Sequence, residues 1–595
     1  MFFCVLVCRL IYWHILLNEN QGVTVKKNKY AEQVGQRREA EKLSAPETKM
    51  LARVEEDRKL RQSRYHPIAL ADSADIPVPE LIDYLQENGI GDAKLYNRLH
   101  RGLIVYVKYW ERFLVWNGHH WREDDWNEAY QAIENVCERY IQGADEKQRE
   151  ADSFPEEEKD LKKKVQAVAD KGYRRVDRLR SKTGQDDLLV MTRRTRQPLL
   201  IMPDFIDKRY YLLPCPNGVV DLRTGELRDG CPEDYLLNAC LTEYRPEMLD
   251  VEDPCPQTNA FLLRSMDGNR HLVDFIWRLL GYGLIRDRKD HVFIIFWGEH
   301  GRNGKDTLIK LVTHVLGMAL SGDVQVEMFL QQQQAKNSSS PTPDVLALRG
   351  MSIAWINEAE DGQKFALAKL KKLTGGGFIT ARGLMDKQMT SWLQTHLPIM
   401  TTNELPKAKA DDAAFWNRAH IVKWGLSFVD DPQQPWERPA DKNLDEKIQA
   451  EAEGVLVRMV QGAMEYLRDG LNVPQEVKQW TKDQRDTWDD LGQFFAECCQ
   501  QEQHQDNPGN YTLRVQASEL HEAFCLWYAE NKDKRYAISA KAFAQLLNKK
   551  DIDAIRSNGM WRLGIDLKPE WKDKVEERRM EEQARKEKNL SKTFR

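Results

Sequence analysis

The 595-residue chain is 41% hydrophobic and 30% charged, globular values, and it exceeds what one core usually covers, so about three or four domains are expected. A formal net charge of −5 excludes an overall basic signature, and any DNA affinity must come from local patches or from a channel formed on assembly. Ten cysteines without a paired C-x-x-C arrangement indicate neither a disulfide framework nor a standard zinc site, and fit a reduced cytosolic setting.

Residues Met1 to Leu17 are apolar but interrupted by Arg9, and too short to span a bilayer comfortably. They lack the basic start and small-residue cleavage site of a secretory signal, so they read as an extension or packing segment, not a membrane anchor. Lys26 to Arg61 is dense in charge, a linker or exposed helix. From about 75 to 285 an accessory α+β region follows. Gly102 to Lys108, Arg112 to Trp116 and the turn Asn117-Gly118-His119-His120-Trp121 predict a β-meander, and Asp145 to Arg180 predicts an exposed helical stretch. Arg174, Arg175, Arg178, Arg180, Lys182, Arg193, Arg194 and Arg196 form a charge-rich face, with DNA contact as the alternative. Cys215, Cys231, Cys240 and Cys255 are spaced too irregularly for a metal site and read as free core cysteines.

The apolar run His291 to Trp297 ends in Gly298-Glu-His-Gly301-Arg302-Asn303-Gly304-Lys305-Asp306-Thr307. A strand, a glycine-rich loop and a helix opened by Lys-Asp-Thr set backbone N–H groups and the positive end of a helix dipole against a polyphosphate, with Lys305 reaching its β and γ groups. The loop is one residue longer than the usual spacing, and Asp306 stands where a Ser or Thr normally holds Mg²⁺. Either the Thr307 hydroxyl takes the metal or Asp306 contributes through water; the first is the expectation. A second strand, Met351 to Ile356, ends in Asn357-Glu358-Ala-Glu360, carboxylates able to hold the Mg²⁺ shell and to orient or deprotonate a water, Glu358 before Glu360. A third, Leu397 to Thr402, ends in Asn403, whose amide could sense a γ-phosphate or its water. Three strand ends carrying phosphate-loop, carboxylate and amide chemistry in that order describe an ATPase core using ATP and Mg²⁺. Between Thr374 and Trp392, a double-glycine turn and β-suited residues predict a hairpin with Gly383 to Lys387 at its tip.

Downstream, Leu444 to Leu467 has helical spacing and is expected to form a lid. Tyr511 to Leu567 reads as strand, helix (Ala517 to Glu530), helix (Ser539 to Lys549) and β-like end, the order of a winged helix, with Lys541, Lys549, Lys550 and Arg556 as duplex-contacting candidates. Lys572 to Arg595 mixes signs and reads as a solvated helix.

Gly301-Arg-Asn-Gly-Lys305, Glu358-Ala-Glu360, Lys369 to Gly376 with Ile379 to Arg382, Thr402-Asn403-Glu-Leu-Pro406, and Asp411-Asp412 through Trp416-Asn-Arg418 together resemble superfamily 3 helicases. The likeness is to the helicase half of the phage and plasmid primase-helicase family, which includes the poxvirus-type replicative helicases, and it spans roughly residues 100 to 560. The resemblance implies an AAA+-like fold and a ring, usually hexameric, with ATP between neighbours and Arg418 as the arginine finger acting on the adjacent subunit's ATP. It also implies a channel-facing hairpin whose Lys387, supported by Arg382, grips single-stranded DNA, and 3′ to 5′ polarity. No primase-type D-x-D metal pair with a histidine occurs before residue 290, so any priming activity is expected on a separate protein.

The reading is thus an α/β protein divided as 1–74 extension and linker, 75–285 accessory domain, 286–430 ATPase, 431–500 helical lid, 501–567 winged-helix-like domain and 568–595 tail. Its expected function is an ATP-dependent replicative helicase acting on single-stranded and forked DNA in the cytoplasm, in phage, prophage or plasmid replication. The alternative is an ATP-controlled origin-binding or assembly switch without motor activity; a P-loop kinase is a weaker third.

Overall fold

The structure is a computed structural model that describes residues 76–331, 341–357, 363–384, 389–503, 511–532 and 538–593. The expected extension and linker over 1–74, and Glu358, Glu360 and Lys387, lie outside the described residues.

At the centre is a five-stranded sheet built from β1 (Phe293–Trp297), β2 (Ser321–Val324), β3 (Ile353–Asn357), β6 (Leu397–Thr402) and β7 (Ala419–Lys423). The spatial order is β7-β1-β6-β3-β2 and every pairing is parallel. Parallel strands need long crossovers, which cover both faces and leave near-continuous apolar strands. Ile294 and Phe296 of β1, with Ile353, Trp355, Leu397 and Ile399, enter one apolar layer; Phe293 and Ile295, with Ala354, Ile356, Met400 and Ile421, enter the other.

Helix α1 (Lys305–Leu316) closes the first layer with Leu308, Leu311, Val312 and Val315, spaced i, i+3, i+4 and i+7 so that one stripe faces the sheet. Behind it the helices Arg270–Leu284 and Ala452–Asp469 cross at a point made of glycines. A Cβ on Gly281 would stand 2.1 Å from the Ala463 nitrogen, and one on Gly462 would stand 2.3 Å from the Trp277 carbonyl. The stretch read as a lid divides into Leu444–Gln449 and Ala452–Asp469, and the second is packed into the core, with Val455, Leu456, Val457, Met459 and Val460 all buried. The second layer is covered by α2 (Leu367–Leu373) and by α3 (Ala413–Trp416).

The meander is present: Ile104–Val107, Arg112–Trp116 and Trp121–Glu123 pair antiparallel, and Leu200–Ile201 joins in parallel. The stretch read as one helical run is a hairpin of helices, Ile133–Ser153 and Lys159–Arg180, because Pro155 cannot continue the first and holds the preceding residue extended. The hairpin packs tightly at Gly172, where a Cβ would lie 2.9 Å from that of Ala144. Several arginines of its charged face are taken up structurally. Arg175 is buried and binds Asp92 at 2.7 Å, Arg178 pairs with Asp187 at 3.5 Å, Arg180 pairs with Glu134, and the Arg193 guanidinium lies 3.7 Å from the Tyr106 ring centroid. Cys215, Cys240 and Cys255 are buried in the core layer around Arg270–Leu284, and no group of His, Cys, Asp or Glu able to hold a metal occurs among the described residues.

The C-terminal part has its own core. Strand Arg514–Gln516, helices Ala517–Asn531 and Ala540–Lys549, and the hairpin Ala554–Arg556 with Met560–Leu563 follow in that order. Lys549 binds Asp411 at 2.6 Å and Lys550 pairs with Asp489, so these two lysines are engaged by carboxylates. No helix among the described residues is long and apolar enough to cross a membrane.

One buried cation ties the layers together. Arg288 donates to the carbonyls of Tyr282 (2.9 Å), Gly283 (2.8 Å), Ser352 (3.2 Å) and Thr395 (2.8 Å), two of them at the C-terminal end of Arg270–Leu284, where a positive charge also meets the helix dipole. Arg288→Ala strands these acceptors in the interior and should cost on the order of 3 kcal/mol or more. Arg112→Ala, which removes an exposed ion pair with Glu123, should cost less than about 1 kcal/mol. Urea denaturation of both variants checks the ranking.

Burial also holds three imidazoles neutral, His100 and His420 pushed down to about 4 and His396 to about 3. Below about pH 6.5 the unfolded chain takes up protons that these native histidines refuse. Their contribution is complete above that pH and is lost as the pH falls toward the native values, by about 1.4 kcal/mol per unit for each. Stability measured between about pH 6.5 and 4.5 should fall less steeply in His396→Gln, which retains a donor for the Leu373 carbonyl now 3.2 Å from the ring.

Candidate functional site

β1 stops at Gly298 because a Cβ there would stand 2.6 Å from the Asn303 side chain, and the Gly298 N–H donates to the Thr402 carbonyl at the end of β6 (3.1 Å). The loop then takes left-handed backbone at Gly301 (φ 69°), Arg302 (φ 47°) and Gly304 (φ 90°). Such a succession curls the chain so that N–H groups line a concavity, and α1 begins immediately after it. Non-glycine residues resist this conformation, yet Arg302 is held in it: its carbonyl accepts the Phe428 N–H at 2.9 Å.

Two further contacts brace the loop. Asn303 is buried and its Nδ2 donates to the carbonyls of Trp424 (2.9 Å) and Leu426 (3.1 Å), binding the loop to the chain that leaves β7. The side chain that sequence offers as a ligand is thus an anchor, while the residue still lines the cavity. His300 stacks on Trp436, with ring centroids 4.6 Å apart and planes 18° from parallel.

Lys305, the first residue of α1, is 7% exposed, and its Nζ donates to the Thr402 carbonyl (2.9 Å) and Asn403 Oδ1 (2.8 Å). The amine therefore ties the start of α1 to the end of β6. Beside it, Thr401 Oγ1 donates to Asn357 Oδ1 at 3.1 Å, which brings the end of β3 into the same cluster. A cavity of about 760 Å³ opens over these strand ends. It is lined by Gly301 to Thr307 with Asn357, Thr402 and Asn403, and by Gln257, Arg264, Phe428, Asp441 and Asp445. Asp306, Thr307 and Asn357 supply the hard oxygen donors that Mg²⁺ prefers. Glu358 and Glu360 follow Asn357 in the chain, outside the described residues. Local motifs leave Asn357 unassigned although the end of its strand is legible; Gln257, Arg264 and Phe428 carry no local signal.

Arg418 is at the opposite end of the sheet. Its carbonyl accepts the N–H of Phe293, the first residue of β1, whereas the loop leaves the last, and five strand residues separate the ends by about 17 Å. Its Nη1 donates to the Ala414 carbonyl (2.5 Å), and it lines a second cavity of about 440 Å³ with Asp290, His291 and His420. Asp411 is bound by Lys549, and Asp412 by Lys371 at 2.9 Å. Burial works against ionisation of Asp412, yet Lys371 and the Phe415 N–H together hold its carboxyl below the usual range.

The hairpin is formed: β4 (Phe378–Ala381) pairs antiparallel with β5 (Thr390–Leu393). It springs from the Arg418 end of the sheet, since a Cβ on Gly376 at its base would stand 3.0 Å from His291 Nε2. Arg382 follows β4 and its carbonyl accepts the Thr342 N–H at 2.9 Å; Lys387 lies outside the described residues.

Residues 93–266 match the family model described as "D5 N terminal like". The chain is 26% identical over 349 residues to "Putative helicase L207/L206" of Acanthamoeba polyphaga mimivirus, covering 55% of this chain and 34% of that protein. It is 23% identical over 245 residues to "Putative primase C962R" of African swine fever virus (strain Badajoz 1971 Vero-adapted), covering 40% and 24%. "Putative helicase 184R" of Invertebrate iridescent virus 6 is 24% identical over 231 residues, covering 38% and 23%. Among solved structures, the apo C-terminal region of NrS-1 (305–718) aligns over 58% of this chain and 88% of that one, at 12% identity and TM-score 0.32.

Asn303→Ala should release the loop without unfolding the sheet. Amide hydrogen exchange at 298–304 is expected to quicken by about tenfold or more, with β3 unchanged; equal protection in both proteins would show the anchor to be dispensable. On the comparisons, the chain is similar to helicase- and primase-named proteins of large DNA viruses, and the matched segments span between about a quarter and a third of those relatives.

Proposed function

We propose that this chain is an ATP-driven replicative DNA helicase, or the motor portion of one, working as a ring of identical subunits. The observation that carries the reading is Lys305 Nζ held between the Thr402 carbonyl and Asn403 Oδ1, under a loop of left-handed residues, at the C-terminal edge of a parallel sheet. Ligands of open α/β sheets sit at that edge, and a positive helix end with a lysine inside it suits a polyphosphate. The helicase names of several similar viral proteins support the same class of activity.

In this reading the loop N–H groups and Lys305 hold the phosphate chain and offset the charge that develops on it. Thr307 and Glu358 would hold Mg²⁺, which neutralises phosphate charge when bound. Glu360 orients or deprotonates the attacking water, and Asn403 fixes the water or the γ-phosphate. Arg418, about 17 Å from the loop of its own chain, cannot serve that chain's nucleotide and acts on a neighbour's. Lys387 and Arg382, on the hairpin at the Arg418 end, grip single-stranded DNA in the channel by sequence-independent, salt-sensitive contacts. The Ala540–Lys549 helix and the hairpin after it act as a winged helix on the duplex. Polarity of 3′ to 5′ and a hexameric ring follow from the family resemblance, and a separate primase supplies primers.

Lys305→Ala should abolish ATP turnover while thermal melting shows a folded protomer. Arg418→Ala should reduce kcat on the order of 10³-fold, the scale of a lost arginine finger. Mixed rings of the two variants should regain part of the activity, because each can supply one intact half-site. Mixed rings that form and stay inactive would place the whole site within one chain. Nucleotide-dependent assembly without hydrolysis or strand separation would leave the assembly switch as the function.

A further inference from the structure

Two cysteines with no role in the reading above meet inside the protein. Cys215 ends the strand Leu212–Cys215, which pairs antiparallel with Gly218–Asp221, and Cys240 lies on a strap, residues 238–244, that runs beside this hairpin. Both cysteines are completely buried, and Cys240 Sγ stands 3.2 Å from Cys215 Sγ. We propose that Cys215 and Cys240 form a thiol modification site, a dithiol that a small disulfide oxidant converts to a disulfide, locking the strap to the hairpin.

Backbone contacts on either side of the sulfurs fix their approach. The Cys240 N–H donates to the Pro214 carbonyl at 2.9 Å. Asn217 clamps Tyr244 at two points, its Nδ2 donating to the Tyr244 carbonyl (2.8 Å) and its Oδ1 accepting the Tyr244 N–H (3.0 Å). Disulfide sulfurs bond at about 2.05 Å, so closure asks for about 1 Å of sulfur travel between segments already held together. On its other side the strap meets α1. The Val315 carbonyl accepts the Leu241 N–H (3.2 Å) and the Thr242 hydroxyl (3.0 Å), and a Cβ on Gly317 would stand 2.8 Å from the Leu241 side chain. A bond between Cys215 and Cys240 therefore fastens the segment that seats the last turn of α1.

With glutathione disulfide as the oxidant, one cysteine thiolate attacks a sulfur of the reagent and expels one glutathione thiolate. The second cysteine thiolate then attacks the protein sulfur of the mixed disulfide and expels the other. The two cysteines together give up two electrons, these reduce the S–S bond of the reagent, and the two thiol protons end on two glutathione molecules. Burial pushes the Cys215 thiol well above its ordinary range and keeps the reagent away from both sulfurs. The closed fold thus preserves the dithiol, and oxidation runs through local opening of the strap.

The test incubates the full chain with glutathione disulfide, in buffer and in urea below the unfolding transition, then alkylates the remaining thiols under denaturing conditions and maps the digest by mass spectrometry without reductant. A peptide linked through Cys215 and Cys240 should accumulate, severalfold faster in urea, and amide hydrogen exchange over 238–244 should slow severalfold once the link has formed. In Cys215→Ala and in Cys240→Ala the same treatment should leave exchange over 238–244 unchanged. Glutathione carried on the partly exposed Cys231, with Cys215 and Cys240 both recovered as alkylated thiols, overturns the site. Glutathione held stably on either of the two, without the link, overturns it as well. A link between Cys215 and Cys240 that leaves exchange over 238–244 as it was overturns the lock.

Discussion

A parallel sheet buried on both faces is the constraint on which everything else in this protein depends. Covering both faces forces each strand to be apolar throughout, so polar chemistry is expelled to the two strand edges. At the C-terminal edge the chain leaving β1 and the chain leaving β6 depart into opposite layers, one toward α1 and the other toward α3, and the gap between them is the cavity. Lys305 enters that gap already bound to β6, so the glycine-rich loop and the neighbouring strand end are held together.

The same sheet separates the candidate functions by its own length. Arg418 and the base of the β4–β5 hairpin are at the N-terminal edge, the larger of the two cavities described at the other. An arginine side chain is far shorter than the sheet is deep, so Arg418 does not reach the cavity of its own chain. Coupling within one chain is carried by braces such as Arg288, whose guanidinium joins the Thr395 carbonyl behind β5 to the end of the central helix and to Ser352 before β3. The chain after the hairpin and the chain before β3, whose far end lines the cavity, thus share one buried cation.

Sequence disclosed the parts of the site whose chemistry is contiguous. Gly298 to Thr307 is legible because a strand, three glycines and a lysine in ten residues have few other uses, and Asn403 because it ends an apolar run. Hairpin and meander were legible for the same local reason. What stayed hidden needs a partner far away in the chain. Asn303 looks like a ligand until Trp424 and Leu426 are brought to its amide, and Arg175 looks like part of an exposed charge-rich face until Asp92 is buried against it. Ala452–Asp469 has the spacing of a surface helix, and only Gly281 meeting Gly462 and Ala463 shows that it lies inside.

The braces around the glycine-rich loop converge on one stretch of chain. Three of them, at Arg302, Asn303 and His300, run to the single segment from Trp424 to Trp436 that follows β7. β7 begins at Ala419, directly after Arg418. The segment that braces the loop and the residue Arg418 therefore flank the same strand, which is packed against β1 along its length. The loop and Arg418 are thus joined through one strand of the central sheet, with the braced segment at one end of it and the arginine at the other.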